Sequence, residues 1–259
     1  MPLELLAYYL NLPLLALVVA RLGGMLMFQP LLGALAVPVQ ARFGLVIGLA
    51  LLVLPLAGQH VVLPDTLVGL AVAIGQEVLL GGLIGLVCAI AFVGLQFGGL
   101  LIAQESGLVF GQIADPNGQD ELDVLSALYL QLGLVIFVLV GGHRAVLGAC
   151  LDTFRTLPLP GGGAACLVPG TALILQTLTL AGEVALRVAA PTVLTLFLLN
   201  IAMGFVSRTV PQLNILTFGF SIKALVGFLM MAISLPTAGA AFIDALEDMI
   251  GGLHHLVSP

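Results

Sequence analysis

Residues 78–103 read VLLGGLIGLVCAIAFVGLQFGGLLIA, and residues 104–123, which follow, read QESGLVFGQIADPNGQDELD. The first stretch holds 26 residues without a charge, enough for about 39 Å of helix, longer than the ~30 Å core of a bilayer. The second is the longest polar interruption in the chain. It carries five of the thirteen acidic residues (Glu105, Asp115, Asp120, Glu121, Asp123) and no basic one. Asp115-Pro116-Asn117-Gly118 is a strong turn signal, because proline presets φ and Asn-Gly tolerates a positive φ. Gly107-Leu108-Val109-Phe110-Gly111 is apolar and flanked by glycine. A purely solvated loop has no need of that, so the stretch reads as a loop entering a confined space.

The rest of the chain has the same character. Of 259 residues, 61% are hydrophobic and 8% charged, with a mean hydropathy of +1.24. Soluble domains carry roughly 25% charged residues, so the composition predicts an integral membrane protein. The net charge of −6 is too sparse, and Lys and Arg too scattered, for nucleic-acid binding. Residues 1–4 carry no basic residue, and a cleaved secretory leader is not expected.

Working outward, residues 5–28 form an apolar segment with Pro13 near its start and Arg21 well inside. An arginine at mid-bilayer costs about 2.5–3.5 kcal/mol on an insertion scale, so Arg21 is expected against protein, water or an interface. Residues 29–41 are a bent connector containing Pro30, Gly33 and Pro38. Residues 43–57 are short for a span. After a polar link, Gln76 and Glu77 intrude before the long apolar run. Glu77 and Glu105 bracket that run, either as proton relays or as partners of neighbouring arginines. Gly44 and Gly48, Gly81 and Gly85, and Gly94 and Gly98 are each four residues apart, a spacing that lets helix backbones approach closely.

Beyond the loop, residues 124–141 are apolar and break at Gly141-Gly142-His143-Arg144. Residues 145–151 suggest a short helix, and residues 152–169, rich in proline and glycine, a loop. Residues 171–190 carry Glu183 and Arg187, an i, i+4 pair with the acid first, the favoured helical order. In a dry setting this pair could lie deep. Residues 191–206 read as a new span with Pro191 in its first turn. Residues 207–214, SRTVPQLN, are a polar turn, and residues 215–235, with Lys223 inside, return to complete a helical hairpin. Pro236 leads into an amphipathic tail over residues 238–252. The expected fold class is all-α and membrane-associated, built of kinked helical hairpins. Its short, charged and bent segments suit helices that face other chains rather than lipid.

Catalytic signatures are missing from the sequence. There is no H-E-x-x-H, no nucleophile elbow around Ser106 and no phosphate-binding glycine loop. His143 has no nucleophile to serve. Cys88, Cys150 and Cys166 lack metal-ligand spacing and read as small apolar fillers. No enzyme activity, cofactor or metal is expected. A small-solute secondary transporter is the alternative of another class, but it should show paired internal repeats, and the loop at 104–123 has no counterpart in the other half.

Several stretches together resemble the FliR family of flagellar type III export-gate proteins and its injectisome SctT-type relatives. They are Arg21-Leu22-Gly23 through Pro30, Gly33, Pro38 and Arg42; Gln104-Glu105-Ser106-Gly107-Leu108-Val109-Phe110 with Asp115-Pro116; Gly142-His143; Phe154 and Pro158; and Asn200 through Gly219-Phe220, above all Ser207-Arg208-Thr209-Val210-Pro211-Gln212-Leu213-Asn214. They occur in the family's order over nearly the whole chain. Gly219-Phe220 looks more flagellar than injectisomal, and Ser221 stands where many such proteins have proline.

The resemblance implies a single non-enzymatic export-gate subunit over residues 1–259. Its FliP-like front part would cover residues 1–185, fused to a FliQ-like C-terminal hairpin and tail over residues 186–259. It implies assembly with FliP-like and FliQ-like membrane subunits and with FlhB-like and FlhA-like export components. Much of that complex would sit above the usual bilayer plane, at the flagellar basal body in the bacterial inner membrane, and unfolded substrates would pass through it. Carried over residue by residue, the pore plug would be Gly107, Leu108, Val109, Phe110, Gly111 and Ile113, with Phe110 and Ile113 as apolar stoppers. Arg208, Pro211, Gln212 and Asn214 would form the hairpin turn near the cytoplasmic entrance. Glu183 and Arg187 would be an intrahelical ion pair.

Overall fold

The computed structural model describes residues 11–31, 37–57, 64, 66–107, 124–157, 159–160, 167–209 and 215–257. These form seven α-helices and no strands: α1 (Leu12–Phe28), α2 (Val39–Ala57), α3 (Leu67–Ser106), α4 (Val124–Val140), α5 (Gly142–Thr156), α6 (Leu167–Thr209) and α7 (Ile215–Val257). Three of them, α3, α6 and α7, contain stretches long and apolar enough to cross a membrane; α4 and α5 taken together make a fourth candidate. The protein is an all-α membrane protein.

The chain divides into two compact units. The first comprises residues 1–90, 141–178 and 246–259. Here α1 buries Leu14, Leu17, Val18, Leu22 and Met25 and packs closely on the first half of α3. A Cβ added at Gly81 would fall on the Arg21 carbonyl oxygen, and one at Gly85 on that of Met25. Opposite them, a Cβ at Gly24 would come within 2.5 Å of the Val78 carbonyl oxygen. Residues four apart share a helix face, so Gly81 and Gly85 make one smooth groove for α1. Helix α2 rests on α1 and α5. Its own glycine pair, Gly44 and Gly48, meets nothing within 4 Å. The second unit comprises residues 91–140 and 179–245. Gly94 and Gly98 again seat a helix, with Ala181, Ala185 and Val188 of α6 against them.

Gly99 faces Leu125 and Ser126, while Gly133 faces Leu95 and Phe92. This crossed order means that α3 and α4 run antiparallel. Phe92 meets Phe137 and Phe242 edge-on at 5.3 and 5.2 Å, the arrangement the ring quadrupoles favour. In the same way Gly219 lies by Met203 and Gly227 by Leu196, so α6 and α7 form an antiparallel hairpin.

Four helix boundaries differ from the sequence expectation. Helix α3 begins at Leu67 and runs straight through Gln76 and Glu77, because Glu77 is buried against a partner rather than exposed. Helix α5 continues to Thr156, into a stretch expected to be loop. Its buried Val146, Ala149, Cys150, Thr153 and Phe154 repeat at helical spacing. Pro191 does not start a span; it lies inside the 43-residue α6. Pro236 likewise lies inside α7, which has no separate tail helix. An internal proline costs one hydrogen bond and about 3 kcal/mol in a helix in water. In apolar surroundings all the other backbone groups must stay paired within the helix, and neighbours can satisfy the one released carbonyl.

Candidate functional site

Three features carry polar chemistry into an apolar chain. The first lies in the first unit. Arg21 and Glu77 both have fully buried side chains, and Arg21 Nε donates to Glu77 Oε2 at 2.6 Å. Arg21 Nη1 donates to Thr153 Oγ1 at 3.0 Å, and both terminal nitrogens reach the Leu157 carbonyl at 3.3–3.4 Å. The guanidinium also lies 4.4 Å from the Phe154 ring centre, within the range of a cation–π contact. The planar fork of arginine can satisfy these directions at once; the point charge of a lysine cannot.

Arg21 therefore faces protein. The partner of Glu77 is an arginine of its own chain, which favours the pairing reading of this carboxylate over the relay. Glu77 Oε1 has no hydrogen-bond partner among the described residues. Thr153 was not among the sequence candidates, and Phe154 was named there only as part of the family resemblance. The apolar repeat from Val146 to Phe154 is the signal that could have placed them on a helix.

The second feature is the end of α3. Gly107 closes it with φ +80°, its N–H donating to the Gln104 carbonyl at 3.2 Å. Only glycine takes this left-handed conformation without strain. Of the proposed plug residues, Leu108, Val109, Phe110, Gly111 and Ile113 lie outside the described residues. Sixteen residues, 108–123, connect the two antiparallel apolar helices α3 and α4.

The third feature is on the α6–α7 hairpin. Arg208 is exposed in the last turn of α6, while Pro211, Gln212 and Asn214 lie outside the described residues. Glu183 Oε2 and Arg187 Nη2 are 3.6 Å apart, with both side chains more than half exposed. Asp244 of α7, which the sequence groups with Glu247 and Asp248 in the amphipathic tail, also approaches Arg187. The pair does not lie deep within this chain. It faces outward, because Val184, Ala185, Val188 and Ala189 take the inward face of α6. His143 lies in the first turn of α5, at the N-terminal end of that helix. Among the described residues there is no group of three or more metal-ligating side chains.

The described residues are thus apolar helices with one buried ion pair, and sixteen residues separate the end of α3 from α4. Comparison with known proteins gives the family. The profile of "Bacterial export proteins, family 1" matches residues 12–249. The chain is 27% identical to the flagellar biosynthetic protein FliR of Caulobacter vibrioides over 236 residues, 91% of this chain and 93% of that one. It is 29% identical to the flagellar biosynthetic protein FliR of Escherichia coli over 237 residues, 90% of this chain and 88% of the relative. It is also 25% identical to the Yop proteins translocation protein T of Yersinia pestis over 192 residues, 74% of each. The chain thus belongs to the bacterial export proteins of family 1, the family of FliR.

Proposed function

We propose that this protein is a structural pore subunit of a flagellar type III protein-export gate in the bacterial inner membrane. It assembles with FliP-like and FliQ-like subunits, is served by FlhB-like and FlhA-like components, and conducts unfolded substrates without catalysing a reaction. The observation that carries this reading is the family match across residues 12–249 of a chain with three membrane-span candidates. Residues 1–185 act as the FliP-like part and residues 186–259 as the FliQ-like hairpin and tail. The similarity to Yop proteins translocation protein T keeps the injectisome counterpart as a second reading.

A pore for unfolded chains must be closed to ions when idle. Apolar side chains in a narrow constriction do this by excluding water and raising an electrostatic barrier. Residues 107–114 supply such side chains in Leu108, Val109, Phe110 and Ile113, and Gly107 and Gly111 free the segment to move aside. Deleting residues 107–114 is expected to raise resting ion conductance of membranes holding the assembled complex several-fold, read by planar-bilayer recording. Unchanged conductance would remove the plug assignment.

At the other end, Gln212 and Asn214 offer side-chain amides to neighbouring turns around the entrance, beside Arg208 and Pro211. The double substitution Gln212→Ala/Asn214→Ala is expected to lower secretion of export substrates into the medium with the chain still present in the membrane. Wild-type secretion and assembly in that variant would remove the entrance role.

A further inference from the structure

We infer that the outward face of α6 around Glu183, Arg187 and Asp244 is the docking surface for a membrane helix of another subunit, one that carries a lysine or arginine. The inference rests on the pore-subunit reading and names one of its interfaces.

Charge gives the first reason. Arg187 Nη2 lies 3.6 Å from Glu183 Oε2, and Nη1 lies 3.9 Å from Asp244 Oδ2. Both separations are long for charge-assisted hydrogen bonds, which run about 2.7–2.9 Å. One guanidinium is shared loosely between two carboxylates, leaving a net charge of −1. A second cation, arriving from outside, would complete an alternating square of two acids and two bases.

The second reason is the surface on which this charge sits. Glu183 is 60% exposed, Arg187 56% and Asp244 69%. Leu194 at 62%, Leu198 at 65% and Phe205 at 69% continue the same stripe along α6. From Glu183 to Phe205 the steps are four, seven, four and seven residues, the spacing of a seam against a second helix. The stripe is about 33 Å long at 1.5 Å per residue.

Water is a poor occupant for this face, because Leu194, Leu198 and Phe205 expose large apolar side chains along it. Hydrocarbon is no better, since each uncompensated charge there costs about 2.5–3.5 kcal/mol on an insertion scale. An anionic headgroup is repelled by the net negative charge. A helix with an apolar seam and one basic side chain satisfies both parts of the stripe at once.

The test uses the full-length chain in its native membrane. A photo-reactive amino acid is placed at Ala190, which is exposed on the same stripe, so that the three charged residues stay intact. The expected adduct is a subunit of the same complex, coupled through a transmembrane peptide that contains Lys or Arg. Asp244→Lys is then expected to reduce co-purification of that subunit at least tenfold, and changing the partner's basic residue to Glu should restore it. If Asp244→Lys fails to accumulate, the milder Asp244→Asn is read in the same way, with a smaller loss expected. Coupling only to lipid, a partner peptide without a basic residue, or co-purification indifferent to both Asp244 variants would overturn the docking face. Those outcomes would leave the pore-subunit reading standing, provided the native chain still co-purifies with other membrane subunits. Native chain that purifies alone would overturn both.

Discussion

Replacing Glu77 with leucine is expected to destabilise the first unit by about 3–5 kcal/mol, the range for removing one partner of a buried ion pair. Arg21 would keep its full charge with its side chain wholly enclosed. Thr153 Oγ1 and the Leu157 carbonyl would remain beside it, but neither carries a countercharge. Arg21→Leu should also be destabilising, because it leaves the enclosed carboxylate of Glu77 without its countercharge. The double variant Arg21→Leu/Glu77→Leu should recover most of the loss, since an apolar replacement of a whole buried pair is often neutral. Thermal unfolding of the purified complex, wild type against the three variants, reads the cycle. Additive losses in the double variant would mean that the two side chains act independently.

The next largest effect is expected at Gly81. A leucine there would drive its Cβ into the backbone of α1 at Arg21. Overpacking usually costs about 1–3 kcal/mol when side chains can shift. Here the obstacle is a helix backbone tied down by the Arg21–Glu77 pair, so the loss should exceed that range and abolish accumulation of the chain. Gly44→Leu is the matched control, because nothing in the chain lies within 4 Å of a Cβ at Gly44. It should leave the fold of this chain intact, and membrane fractions probed by limited proteolysis would compare the two. Equal protease resistance of the Gly81 and Gly44 variants would contradict the close packing of α1 on α3.

These two cases also mark how much the sequence reveals. The all-α membrane class follows from composition, and two of the three glycine pairs spaced by four do seat a neighbouring helix. Spacing alone could not tell them from Gly44 and Gly48, because the same pattern arises wherever glycine is frequent. Arg21 was legible as a residue in need of company, but its company was not. Glu77 is 56 residues away and Thr153 132, and such pairings are properties of the packed chain. Pro191 and Pro236 misled because proline punctuates helices in water, whereas α6 and α7 run through it. The end of α5 was missed because Pro158 and Pro160 drew the loop boundary too early, across residues that repeat at helical spacing. At the candidate site, Gly107 takes a positive φ where α3 ends, a helix end the sequence marked only by the change from apolar to polar residues. Asp244 was read as part of a tail, and only the antiparallel return of α7 brings it to Arg187.

The central claim is that the chain works only as one member of a larger membrane assembly. Native mass spectrometry of the tagged full-length protein, extracted in mild detergent, tests it most directly. The account predicts a complex far heavier than the 26.7 kDa chain, containing several other small membrane proteins in a fixed ratio. A stable, folded species at the mass of the chain alone would contradict it.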